Sequence, residues 1–341
     1  MLDTRAVRRR DFLRAAALGG GMAAVSGIMP AWAQPVSRGM APSLATLGGN
    51  DIALTIGEVA LRVDGKASPG IGINGTVPGP LLRLKEGETV RLRVTNALAG
   101  RAIRPGGDGN ASIHWHGVLV PFAMDGVPGI SFPGILPGET FTYEFPIVQS
   151  GTYWYHSHSG YQEQEGVYGP MIIEPAGADP VAFDREHVLV LADHSPMSGA
   201  AIYRKLKQMG GGYFNMQRLT LSGLLTGRDL PASERQDWAR MRMDPTDISD
   251  VTGSTYDFTV NGWGPFDNWT ALFNPGERVR LRIINASAQT NFNVRIPDLA
   301  MTVVQADGQN VQPIEVDEFQ IGVAETYDVV VTPGDRAYTF V

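Results

Sequence analysis

Apolar and polar residues alternate with a period of two along much of the chain. In Thr89-Val90-Arg91-Leu92-Arg93-Val94-Thr95 the apolar side chains fall on one side and Arg and Thr on the other. That is the pattern of a half-buried strand. Phe141-Thr142-Tyr143-Glu144-Phe145 repeats it. Turn signals punctuate these runs: Asn74-Gly75, Pro78-Gly79-Pro80, Pro128-Gly129 and Pro137-Gly138, residue types that set the backbone angles of tight turns. Many short strands joined by Gly/Pro turns predict an all-β protein of the sandwich type.

The pattern occurs twice. Gly87-Glu88-Thr89-Val90-Arg91-Leu92-Arg93-Val94-Thr95-Asn96 matches Gly276-Glu277-Arg278-Val279-Arg280-Leu281-Arg282-Ile283-Ile284-Asn285. Upstream, Ile73-Asn74-Gly75 matches Val260-Asn261-Gly262. Downstream, Glu139-Thr140-Phe141 parallels Glu325-Thr326-Tyr327, and Tyr153-Trp154-Tyr155 falls against Tyr338-Thr339-Phe340. The first copy continues to a last strand at Gly169-Pro170-Met171-Ile172-Ile173-Glu174. The expected organisation is therefore a first sandwich over 46–178 and a second over 182–341 whose closing strand is missing. An open apolar sheet edge is unfavourable, so the chain reads as the N-terminal part of a longer protein. A helical insertion is expected over 195–250. It carries the helical patterns Ala201 to Met209 and Ser233 to Met243, the second opened by the capping signal Ser233-x-x-Gln236. Met197, Met209, Met216, Met241 and Met243 read there as adaptable packing rather than as soft metal ligands.

Composition narrows the chemistry. The 341 residues include 41 Gly, 23 Pro and no Cys. Disulfides, Fe–S clusters, Cys-type zinc sites and thiolate-held copper are excluded within this stretch. Residues 1–33 hold five Arg and two Asp, a net +3, so the whole-chain charge of −7 leaves −10 on the remainder. Such a chain is a poor binder of phosphate backbones, and no nucleic-acid partner is expected. Arg8-Arg9-Arg10-Asp11-Phe12, a mild apolar run from Ala15 to Met29 and the site Ala31-Trp32-Ala33 form a three-part export leader with a twin-arginine pair. This predicts passage through the twin-arginine machinery to the periplasm, with no stable membrane insertion.

Four of the six His form two like pairs, His114-Trp115-His116 and His156-Ser157-His158. Each follows a strand pattern. Residues i and i+2 of a strand share a face, about 6.6 Å apart, so each pair is expected to project two imidazoles to one side. A lone H-x-H is usually two surface histidines; two such pairs in a His-poor chain point to a metal centre of the Cu, Zn, Fe or Ni kind. No Asp or further His at short spacing suggests a dinuclear hydrolase. His187 and His194 are single and read as structural.

At these residues the chain resembles a known family. His114-Trp115-His116-Gly117, Met124-Asp125-Gly126-Val127-Pro128, Gly151-Thr152-Tyr153-Trp154-Tyr155-His156-Ser157-His158-Ser159-Gly160, Gln162-Glu163-Gln164 and Tyr168-Gly169-Pro170-Met171 are similar to the first cupredoxin domain of multicopper oxidases. The Met124-Asp125-Gly126 and Gly160 to Gln164 details, with the leader, resemble the periplasmic copper-resistance branch. The resemblance implies tandem cupredoxin-like Greek-key sandwiches and a trinuclear copper cluster shared between the first and last domains. It implies that His114 is a type 2 copper ligand and that His116, His156 and His158 are type 3 ligands. It implies a full-length oxidoreductase that oxidises Cu(I) or phenolic-type donors and reduces O2 to water in copper resistance. Asp125 sits where that family has a carboxylate near the cluster, a place for a proton relay; an Asp-Gly turn residue is the other reading.

The chain departs from the family in having no Cys and no His after His194. The type 1 copper site that takes electrons from a small reductant is therefore absent, and the chain alone is expected to be inactive. A non-catalytic periplasmic copper-sequestering protein is the alternative. A hetero-partner supplying the missing ligands is a third, to which no feature points.

Overall fold

The computed structural model describes residues 43–98, 109–209, 221–227 and 254–341. The N-terminal part forms two sheets. One runs in the order β3-β2-β5-β7, from β2 (Asp51–Val63), β3 (Lys66–Ile73), β5 (Thr89–Asn96) and β7 (Thr140–Pro146). The other runs β1-β4-β9-β8-β6, from β1 (Thr46–Gly48), β4 (Leu81–Lys85), β6 (His114–His116), β8 (Gly151–His156) and β9 (Tyr168–Glu174). Their inner faces enclose one core that includes Leu54, Leu92, Trp115, Tyr143 and Tyr155, all fully buried. Each Leu or Ile there stabilises by about 1.5–3 kcal/mol. The alternation in β5 behaves as expected: Val90, Leu92 and Val94 point inward while Arg91 and Arg93 are exposed.

The C-terminal part repeats the design. A six-stranded sheet runs β11-β10-β12-β17-β14-β15, from β10 (Arg185–His194), β11 (Asp257–Val260), β12 (Val279–Asn285), β14 (Met301–Ala306), β15 (Gln309–Val316) and β17 (Thr326–Val331). β13 (Phe292–Arg295) and β16 (Glu318–Ile321) form a separate pair. After β17, Val341 exchanges both backbone hydrogen bonds with Arg295 at 2.9 Å. Within this second part, between β10 and β11, α1 (Gly199–Met209) and α2 (Leu221–Thr226) lie inside the expected insertion. The leader 1–33, the pattern Ser233 to Met243, and Met216, Met241 and Met243 lie outside the described residues. No helix among the described residues is long and apolar enough to cross a membrane.

The internal repeat holds at the level of single hydrogen bonds. Asn74-Gly75 and Asn261-Gly262 both have positive φ at the two central positions (52° and 81°, 53° and 80°), the tight-turn geometry that Asn-Gly favours. Asn74 accepts the Thr55 N–H and donates to the Ala53 carbonyl; Asn261 accepts the Val190 N–H and donates to the Val188 carbonyl. Asn96 and Asn285 likewise both tie down the chain that follows β5 and β12.

The second copy differs in one consequential way. Every residue of β12 is buried, including Arg280 and Arg282, which match the exposed Arg91 and Arg93. The outer face of β5 meets water, whereas that of β12 meets the first sandwich. There Arg282 donates to Glu186, Asp328 and the Thr152 hydroxyl, and Arg280 donates to Asp328 and Asp179. Arg83 of β4 pairs with Glu174 and Glu186, joining the two parts.

Candidate metal centre

The alternation inside His114-Trp115-His116 places the site. Trp115 points into the core, edge-on to Tyr143 at 5.2 Å, so both neighbouring imidazoles project from the opposite face of β6. β8 pairs antiparallel with β6, and His114 stands directly opposite His156. The chain after β6 returns tightly against the start of that strand. Gly126 has φ +79°, and a Cβ there would meet the Ile113 carbonyl, so only glycine fits.

His158 departs from the expected strand geometry. β8 ends at His156, and His158 lies in the loop beyond it. Its N–H donates to the Ser112 hydroxyl, which also receives the Ser159 hydroxyl, both at 3.0 Å. Ser157 donates to Gln162, whose amide reaches the Asn110 carbonyl. A hydrogen-bonded loop, rather than a strand period, brings the fourth ring in.

The four rings converge. His114 lies 5.5, 5.4 and 4.9 Å between centroids from His116, His156 and His158; His156 lies 5.4 Å from His116 and 5.1 Å from His158. Potential ligand atoms of His114, His116 and His156 all lie within 4.8 Å of one another. His114 Nδ1 donates to the Asp125 backbone carbonyl at 2.7 Å, which leaves its Nε2 lone pair free for a metal. His156 Nδ1 faces the Ser157 carbonyl at 3.2 Å and the Glu163 carboxylate at 3.3 Å, which leaves its Nε2 beside His116 Nδ1 at 3.2 Å.

Burial, reinforced by the neighbouring His156 and His114, pushes His116 down to about 4. Burial likewise lowers His114 and His158. These three imidazoles are neutral donors at neutral pH, the state a metal requires. A cluster of neutral nitrogen donors without a thiolate fits a borderline ion such as copper.

Asp125 serves first through its backbone. It caps the short 3-10 helix Phe122–Met124, and its carboxylate stands 3.4 Å from His114 Nδ1. Two residues near the rings escaped the sequence reading. Glu163 lies in the quoted Gln162-Glu163-Gln164 run, with no local signal to separate it from its neighbours. Trp154 stacks on His156 at 4.2 Å and on His116 at 4.9 Å; its place two residues before His156 on an alternating strand was the available clue. The other histidines are taken up elsewhere, His187 by the Leu272 carbonyl and His194 by the Ser68 hydroxyl. Met197 Sδ accepts from the Ser254 hydroxyl and the Lys205 ammonium.

Tandem cupredoxin-like sandwiches, the first carrying a histidine cluster suited to a transition metal, define the class of this protein. Residues 55–178 and 185–341 match two family models, both described as multicopper oxidase, and the chain belongs to that family. It is 47% identical over 337 residues to Copper resistance protein A of Escherichia coli, covering 97% of this chain and 53% of that protein. It is 46% identical over 337 residues to Copper resistance protein A of Pseudomonas syringae pv. tomato, with the same coverage. The crystal structure of a multi-copper oxidase from Pseudomonas thermotolerans superposes with a TM-score of 0.63 at 25% identity, covering 87% of this chain and 61% of that one. The chain spans about half the length of the relatives named Copper resistance protein A.

Proposed function

We propose that His114, His116, His156 and His158 bind copper as the first-domain half of a trinuclear centre. The full protein would be a periplasmic oxidoreductase, exported by the twin-arginine route, that oxidises Cu(I) or phenolic-type donors and reduces O2 to water in copper resistance. The observation that carries this is the convergence of four imidazoles, three of them held neutral by burial. The relatives named Copper resistance protein A support the choice of metal and of role. In this reading His114 is the type 2 ligand and the other three are type 3 ligands.

Bound copper supplies one-electron chemistry. The chain's own residues orient and protect. The Asp125 carbonyl fixes the ring of His114, Glu163 faces Nδ1 of His156, and Trp154 stacks on His116 and His156. The Asp125 carboxylate, 3.4 Å from His114 Nδ1 and partly exposed, is placed to hold a proton near the centre and pass it to water. The 341 residues contain no Cys for a type 1 site, so these residues alone bind copper without turning over a reductant. The second reading is copper sequestration by the same histidine donors.

Copper titration of the mature chain tests the site. Binding that is lost in His114→Ala and His156→Ala supports it, and unchanged binding in both variants refutes it. This copper-loaded chain should show no oxidase turnover under either reading; an oxidase assay on the full-length protein separates the two.

A further inference from the structure

The second sandwich contributes no histidine to the cluster, yet it reaches the cluster through one strand. Residues 152, 154 and 156 of β8 share a face. Tyr153 and Tyr155, on the other face, are buried in the first core. The Thr152 hydroxyl accepts from Arg282 and its carbonyl accepts from the Thr326 hydroxyl, both at 3.0 Å. Trp154 Nε1 donates to the Ala324 carbonyl at 3.2 Å. Arg282, Ala324 and Thr326 all belong to the second sandwich.

Ala324 is itself held. It has φ +70°, a left-handed conformation that is unfavourable for a non-glycine residue. Its N–H donates to the Asn285 carbonyl, and Asn285 in turn ties down Ile321 and Gly322. The indole is thus clamped at one edge by a rigid loop of the second sandwich. Its face lies nearly parallel to both His156 (18°) and His116 (27°). His116 is also its direct partner across the β6–β8 pair.

We propose that Trp154 is a positioning residue through which the second sandwich sets the separation and tilt of His116 and His156. The metal centre is then sensitive to how the two sandwiches sit together, although one of them supplies no ligand. This rests on the metal-centre reading above for its consequence, but the ring positions it explains exist without metal.

The test uses Trp154→Leu, which removes the ring, and Trp154→Phe, which keeps a ring and loses the donor to Ala324. In metal-free protein, the nuclear Overhauser contact between His116 and His156 should weaken in Trp154→Leu. The contact between His114 and His158, which Trp154 does not touch, should persist. On titration with Cu(II), affinity should fall about 10-fold in Trp154→Phe and about 100-fold in Trp154→Leu, the range of lost outer-shell support. The electron paramagnetic resonance spectrum should change in both. A Trp154→Phe protein with wild-type affinity and spectrum overturns the proposal, even if Trp154→Leu fails to fold. Should the wild type take up no copper while His116 and His156 still separate selectively in Trp154→Leu, the metal-centre reading fails and the positioning role stands.

Discussion

Gly126 lies directly against Ile113. A Cβ built on Gly126 would stand 1.8 Å from the Ile113 carbonyl oxygen, and the residue's φ is +79°. Ile113 leads into β6, so the turn that carries Asp125 and the strand that carries His114 are packed without room for a methyl group. Gly126→Ala is expected to cost about 3 kcal/mol or more, combining left-handed strain with the clash. Gly129→Ala, at φ +77° with nothing within 4 Å, should cost only about 1 kcal/mol. Urea unfolding of the two variants checks the contrast, and copper titration should show weakened binding in Gly126→Ala alone.

The two carboxylates near the cluster should behave differently. His114 is oriented by the backbone carbonyl of Asp125 at 2.7 Å, which Asp125→Asn retains. His156 Nδ1 has the Glu163 side chain at 3.3 Å, and Glu163→Gln removes that charge. Copper affinity is expected to drop about 10-fold in Glu163→Gln and to stay at the wild-type value in Asp125→Asn. Equal losses in a competition assay with a chelator of known affinity would contradict this assignment.

Acid should destabilise the copper-free protein in a defined window. Burial holds His116 at about 4 against an ordinary 6.5, with His114 and His158 lowered in the same direction. Between those values the unfolded chain binds more protons than the folded one, so stability rises with pH. The stability is fully present above 6.5 and is lost as pH falls toward 4. Thermal midpoints measured at pH 7, 6, 5 and 4 should fall through this range. His116→Gln should flatten the slope; an unchanged slope would place the effect on other groups.

How much of this was readable from sequence depended on how local the cause was. The Asn-Gly turns, the Val90-Leu92-Val94 stripe and the His114-Trp115-His116 alternation are set by neighbours in the chain, and they appear as expected. His158 does not follow the strand period, because β8 ends two residues before it and a serine network takes over. Trp154 and Ala324 are 170 residues apart, and no spacing rule joins them. Arg91 and Arg280 occupy matching places in the repeat, with one exposed and the other fully buried. The periodicity is the same in both. What differs is whether water or another sandwich lies beyond the strand, and that is decided by tertiary packing.

That difference gives the last expectation. Asp328 Oδ2 accepts from Arg280 at 2.8 and 2.5 Å and from Arg282 at 3.0 Å, with all three side chains almost completely buried. The attraction among these charges is offset by the cost of removing them from water, so the intact network contributes little net stability. Breaking it is another matter. Asp328→Ala leaves two guanidinium groups with Asp179 and Glu186 as their remaining acidic partners and should cost about 3–5 kcal/mol. Arg91→Ala removes the exposed counterpart, 2.9 Å from Glu144, and should leave the unfolding midpoint close to the wild-type value. Because Arg282 also grips Thr152 on β8, Asp328→Ala should loosen the contact between the sandwiches as well as lower the unfolding midpoint. Hydrogen exchange would register this as faster exchange in β8 and β12 together. If exchange rises only in β12, the network serves the second sandwich alone.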